Sequence, residues 1–230
     1  MKRLGILGGM GSQASAYFVS ELVRQTPAKK DQDHIPFVLL NACNVPDRTT
    51  AIKAGNTAPV FNAIRPYLDD CIQLGVDSFV MPCNTVHCVY DDVVDYFKIK
   101  QADIHCYHMV DAVMQHAKNK DIQSVTLMAT EGTMYSKLFH DHHHGVMINE
   151  PDSDQQNIIT NLIHAKKSGG CDSSHQAQFD ALVATFLMDS DAVILGCTEL
   201  PLYVKNNDPR LMCPMQVQIQ TIVSDFAPAC

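Results

Sequence analysis

Residues 76 to 85 read VDSFVMPCNT and residues 190 to 199 read SDAVILGCTE. Each decapeptide holds an aspartate, a short apolar run, a cysteine six residues after the aspartate, and a threonine close behind. A run of that length between turn-forming neighbours reads as a strand buried on both faces, which is the habit of parallel sheets. A second pair lies upstream, RLGILGGMGS at 3 to 12 and SVTLMATEGT at 124 to 133, each a strand that ends in a loop of small residues. The chain is therefore constrained to repeat one strand-and-loop plan twice, in the same order.

The segments between these strands have helical spacing, and parallel strands need such crossovers. Leu4 to Leu7 is followed by a helix over about Ser15 to Arg24, whose Phe18, Val19, Leu22 and Val23 fall on one face. Phe37 to Leu40 leads to a helix from about Thr49, and Ser78 to Met81 to a helix over about Thr85 to Tyr96. After Gln101 the plan restarts with Ser124 to Met128 and a helix through Ser136 to Phe139. The expectation is an α/β fold of two similar Rossmann-like lobes with parallel sheets. The lobes are assigned to residues 1–103, joined by a returning tail of about 208–230, and to residues 104–207.

Bulk properties exclude several classes. Of 230 residues, 46% are hydrophobic and 18% charged, which suits a globular chain rather than a disordered one. The apolar runs fall far short of the roughly 20 residues that span a bilayer, and glycines interrupt the start too early for a signal peptide. The expectation is a cytoplasmic protein with no membrane partner. Nine cysteines, an odd number without paired CxxC spacings, read as reduced thiols. Lys and Arg total 17 against 25 Asp and Glu, a net charge of −8 with the basic residues scattered, so nucleic acid is not an expected partner. An anionic ligand would have to be held by individual cations and backbone N–H groups against the overall field.

In open parallel sheets, ligands bind at the carboxyl ends of the strands. Cys83 and Cys197 both fall there. If the two lobes face one another, the thiols flank one cleft, and a helix starting just after each cysteine would lower its pKa from the usual value of about 8.5. A thiolate and a thiol on opposite faces of a carbon can invert it, one removing a proton and the other returning one. Hydroxyls such as those of Thr85 and Thr198 could steady the carbanion, and the scheme needs neither metal nor organic cofactor. A single cysteine at a strand end is more often a packing residue; two at matching stations of a repeat weigh against that.

Other motifs have plainer readings. HDHHHG, 140 to 145, cannot point three consecutive histidines one way and reads as a solvated loop rather than a metal site. Cys83, His87 and Cys88 lack a full ligand set, so His87 is expected to pack or hydrogen-bond near Cys83. Cys43, Cys71, Cys106, Cys171, Cys213 and Cys230 are packing or surface residues. The GILGGMG loop lacks the G-x-G-x-x-G order of a dinucleotide site.

The motifs LGILGGMGSQAS, NVPDRT, MPCNTVH, HMVDA, LMATEGTMYS and ILGCTELPL, taken together and in this order, resemble the aspartate/glutamate racemase family of cofactor-independent amino-acid racemases. The resemblance runs nearly end to end. It implies two Rossmann-like lobes with the active site in the cleft between them, commonly a homodimer, an acidic amino acid as substrate, and Cys83 and Cys197 as the acid/base pair. It implies further that Arg48 grips the distal carboxylate of the substrate, in accord with the bidentate fork of a guanidinium. The plainer reading of Arg48 is a helix-start neighbour of Asp47, with Asp47 as N-cap. Asn84, Thr85 and Thr198, with Glu199 beside them, match positions that hold the α-carboxylate or α-amino group, and Met10 and Thr130 match loop residues lining the site. Lys167, chosen over Lys166, matches a lysine that contacts the side-chain carboxylate.

Two stretches depart from the family pattern. GGMGSQAS replaces a Pro-Glu pair common after the glycines, and PMQVQIQTIV lacks the usual aspartate and histidine. Both bear on substrate choice more than on reaction type, because both thiols remain. Two other readings stay open at this level. A superfamily relative such as a maleate isomerase or arylmalonate decarboxylase would respond to maleate in a substrate screen. A non-catalytic dicarboxylate-binding relative would bind without changing optical rotation.

Overall fold

The computed structural model describes residues 2 to 227. They fall into two units, one running to Met109 and resuming at Met215, the other spanning Val110–Pro214. In the first unit, β1 (Leu4–Gly8), β2 (Phe37–Asn41), β3 (Ser78–Val80) and β4 (His105–Cys106) lie in the order β2-β1-β3-β4. In the second, β5 (Ser124–Ala129), β6 (Met147–Asn149), β7 (Ala192–Gly196) and β8 (Leu211–Met212) lie in the order β6-β5-β7-β8. Every pairing is parallel. The fold is α/β, two Rossmann-like lobes of one plan: shifting the strand numbers by four converts one sheet into the other. The repeated sequence segments occupy equivalent stations, β1 with β5 and β3 with β7.

The aspartates of the repeat belong to this frame. Asp77 accepts a hydrogen bond from Arg3 N (2.7 Å), just ahead of β1. Asp191 accepts from Gln123 N (3.0 Å) and Ser124 N (2.9 Å), at the start of β5. In each unit a carboxylate thus ties the start of one central strand to the next and satisfies N–H groups that lie beyond the sheet ladder. Above it, β1, β5 and β7 are buried at every position, as strands covered on both faces must be.

Helices supply the cover. Among them, α1 (Ser12–Gln25) buries Ala14, Phe18 and Leu22, a stripe spaced by four. The chain then passes through α2 (Arg48–Lys53), α3 (Ala58–Gln73), α4 (Tyr90–Ile99) and α5 (Met109–Asn119). The second unit takes α5 from Val110 onward, then α6 (Glu131–Tyr135), α7 (Leu138–Asp141), α8 (Ser153–Ser168) and α9 (Ser173–Asp189). Both long helices open on capping boxes, Asp152 with Gln155 and Asp172 with His175.

Two helices differ from the expected spans. The segment Ser136 to Phe139 is interrupted, because Lys137 takes a left-handed φ of 56° and separates α6 from α7. Ser136 Oγ closes the earlier turn by donating to Thr133 O (2.9 Å). The segment Thr85 to Tyr96 begins as a 3-10 turn, Thr85–Val89, and becomes α-helical only in α4.

The last helix, α10 (Pro214–Phe226), belongs to the first unit almost throughout. Gln25 Nε2 donates to Gln216 Oε1 (2.6 Å), Gln216 Nε2 donates to Tyr17 Oη (3.1 Å), and Tyr107 Oη donates to Asp225 Oδ2 (3.2 Å). Gln218, within the stretch that departs from the family pattern, is 0% exposed, and neither amide atom has a partner. An unsatisfied buried polar group costs about 1–3 kcal/mol. Gln218→Met, close in shape, is accordingly expected to stabilise the fold by about that amount, read as a higher urea midpoint at unchanged slope.

Candidate active site

In the first unit the candidate residues gather at the carboxyl ends of β1, β2 and β3. Gly9 has φ +91°, and a Cβ there would lie 2.4 Å from the backbone nitrogen of Ala42. Only glycine lets the β1 loop lie this close to the residues after β2. Ala42 N donates to Gly8 O (3.0 Å), and Gly9 N donates to Ser15 Oγ (2.9 Å), which fix the loop from both sides. The loop seats Met10, 6% exposed, in the same apolar cluster as Val45 and Cys83.

Asp47 caps α2, accepting from Thr50 N (2.7 Å), and Arg48 is the first residue of that helix. Arg48 Nη1 donates to Val45 O (3.4 Å) and Pro46 O (3.2 Å), while its Nε is buried without a partner. A guanidinium held back by two carbonyls, with a donor left over, is prepared to receive an anion. Burial raises the neighbouring Cys88 thiol to about 12; Cys83 also raises it and Arg48 lowers it, so these side chains share one electrostatic neighbourhood.

Cys83 follows β3 and is 8% exposed, with its N–H turned back onto Met81 O (2.7 Å). Asn84 is 3% exposed and its Oδ1 has no partner; Thr85 opens the 3-10 turn. His87 braces this loop. Its Nε2 lies 3.1 Å from Met109 N, a donor, and so must be the acceptor; Nδ1–H therefore donates to Cys83 O (2.8 Å). The imidazole is held neutral in one tautomer, stacked on Tyr90 and edge-on to His108.

The second unit repeats the layout. Thr130, after β5, caps α6, with Oγ1 accepting from Thr133 N (3.2 Å). Cys197, after β7, is 7% exposed. Its thiol donates to Glu199 Oε2 (2.9 Å), and Thr198 Oγ1 donates to the same oxygen (3.1 Å). Sequence reasoning places Glu199 among the substrate contacts; the structure engages its carboxylate with the thiol and with Thr198. Burial, then the Glu199 carboxylate, push the Cys197 thiol well above its ordinary range, while Lys167 pulls the other way. The expected lowering by an adjacent helix does not operate at Cys197: the next element is only the short 3-10 turn Leu200–Tyr203, and desolvation and a like charge outweigh it. The two lysines part company. Lys167 bears electrostatically on Cys197, whereas Lys166 lies over the Tyr203 ring, 4.1 Å from its centroid.

Gln156 of α8 escapes sequence reasoning altogether. Its Nε2 donates to Ala129 O (3.1 Å), the last carbonyl of β5, and nothing in PDSDQQN signals that contact. The histidine tract is engaged with carboxylates: His142 Nδ1 and His144 Nε2 donate to Asp111 Oδ1 (3.2 and 2.8 Å), and His140 pairs with Glu150 (3.3 Å). Among the described residues, no group of three or more His, Cys, Asp or Glu side chains is placed to hold a metal ion, and no helix is long and apolar enough to cross a membrane.

Two α/β units, each built on a parallel sheet with a cysteine after its third strand, define a duplicated strand-end thiol architecture. The chain belongs to the Asp/Glu/Hydantoin racemase family, whose model matches residues 7–223. It is 24% identical over 206 residues to a broad specificity amino-acid racemase of Bacillus subtilis (strain 168), covering 86% of this chain and 85% of that protein. In structure it is similar to the aspartate racemase of Picrophilus torridus, with a TM-score of 0.84 and 25% identity over 98% of this chain and 94% of that one. It also shares its fold with a glutamate racemase of Bacillus anthracis, with a TM-score of 0.65 and 16% identity over 97% and 81% of the two chains.

Proposed function

We propose that this protein is a cofactor-independent racemase of acidic amino acids, aspartate or glutamate, working by proton transfer between Cys83 and Cys197. The observation that carries the reading is the pair of thiols at equivalent stations of two like sheets, one of them bonded to a carboxylate at 2.9 Å. As base, one sulfur takes the α-proton: the C–H bond breaks, an S–H bond forms, and the electron pair passes into the substrate carboxylate. The other thiol gives its proton to the opposite face, and the inverted amino acid leaves. The unpaired Nε of Arg48 supports a role in holding the distal carboxylate, and Asn84, Thr85 and Thr198 are assigned to the groups on the α-carbon. Met10 and Thr130 line the site, and Lys167 adds positive charge near Cys197.

Glu199 is assigned to Cys197 itself. In the direction where Cys197 is the acid, its raised pKa keeps the proton in place until the carbanion forms. In the other direction, Cys197 acts as the thiolate that is left once its proton has passed to the carbanion. Incubation with each L-amino acid and chiral chromatography for the D-form tests the activity; absence of D-aspartate and D-glutamate overturns it.

A Glu199→Gln variant tests the assignment. Removing the negative charge lets the Cys197 pKa fall, although burial, the larger cause, still holds it up. The alkaline limb of kcat/KM, which marks loss of the Cys197 proton, therefore moves to lower pH, and kcat drops by about 10²-fold. An unmoved limb would return Glu199 to substrate binding.

A further inference from the structure

Gln156 carries an orphan that the proposed reaction leaves unused. Its Nε2 donates to Ala129 O (3.1 Å) and to Thr160 Oγ1 (3.3 Å), which engages both amide hydrogens. This settles which way round the amide sits, since a flipped amide would set oxygen against the Ala129 carbonyl. Its Oε1 is buried and has no partner. Ala129 pairs with Gly196 in the β5–β7 register, and the next residues on the two strands are Thr130 and Cys197. The orphan oxygen is thus held at the sheet end that carries the second unit's candidate residues.

With both N–H groups engaged, Gln156 can offer a ligand nothing but an acceptor. An acidic amino acid at neutral pH has two carboxylates, which only accept, and one ammonium, its single donor group. Resting on the racemase reading, we infer that Gln156 Oε1 accepts a hydrogen bond from the substrate's α-ammonium and makes this protein select α-amino acids over dicarboxylates that lack the amino group. Its counterpart in sequence terms is invisible, because the donor comes from the ligand and the amide is fixed by a backbone carbonyl 27 residues away.

The experiment is calorimetry on the full chain with ligands matched except at the amino group. DL-aspartate, already at its racemic equilibrium, is compared with succinate, and DL-glutamate with glutarate. In Gln156→Met, affinity for the amino acid falls about tenfold or more, the usual weight of a hydrogen bond to a charged group, while affinity for the desamino partner stays within about twofold. In Gln156→Glu the preference shifts toward the amino acid, because a carboxylate attracts the ammonium and repels a bare dicarboxylate. Equal losses for both ligands, or no change in either variant, overturn the inference and leave Oε1 to a water molecule or to packing. A parent protein that binds neither pair overturns the racemase reading together with this one, whereas a parent that binds and racemises while both variants keep its preference overturns this inference alone.

Discussion

On the proposed two-thiol mechanism, replacing either Cys83 or Cys197 by serine is expected to cut racemisation by about 10² to 10⁴-fold, the usual weight of a positioned acid or base. A serine hydroxyl keeps the shape but does not ionise near neutral pH, so the change removes proton transfer and little else. The two variants should then fail in complementary ways. On that mechanism the remaining sulfur should still exchange the α-proton of one enantiomer, so solvent deuterium is expected to enter one enantiomer with one variant and the other enantiomer with the other. Mass spectrometry of each enantiomer recovered from D₂O reads this directly. Full racemisation by either variant would remove that thiol from the reaction. Loss of exchange from the same enantiomer in both would mean that the sulfurs do not serve opposite faces.

The second large effect concerns Gly9. An alanine there must adopt φ +91° and place its Cβ 2.4 Å from Ala42 N, with the Ala42 carbonyl carbon and Cys43 N nearly as close. No flexible side chain is available to yield, because the opposing atoms are backbone. Strain of the dihedral and overpacking together cost about 3 kcal/mol or more, a large share of the roughly 5–15 kcal/mol that holds a domain folded. Urea unfolding of Gly9→Ala should show a midpoint lowered to match, and the loop carrying Met10 should lose its register with Cys83. A midpoint within about 0.5 kcal/mol of the parent would show that the two loops can separate freely.

How much of this could be read from residues alone differs by feature. The central strands were legible because burial on both faces imposes an unbroken apolar run, as in Ala192 to Gly196, and no local alternative satisfies it. The duplication was legible through Asp77 and Asp191, each six residues ahead of its cysteine. What escaped were features decided across the fold. Strands β4 and β8 are two residues long and exist only through their neighbours. Lys137 enters the left-handed region although its sequence looks helical. The state of Cys197 was read in the wrong direction, since a helix dipole can be guessed from sequence order whereas a carboxylate at 2.9 Å and full desolvation cannot. The neutral tautomer of His87 depends on Met109, 22 residues away.

The return of α10 to the first unit has a consequence for synthesis on the ribosome. The sheet of that unit is encoded by residue 106, yet the helix that meets Tyr17, Glu21 and Gln25 through Gln216 is encoded after residue 213. During translation the face of α1 must wait, uncovered, while the whole intervening unit emerges and folds. A nascent chain stalled before Pro214 should therefore expose a protease-sensitive first unit beside a resistant second one, and the switch to resistance should come only when the final helix clears the exit tunnel.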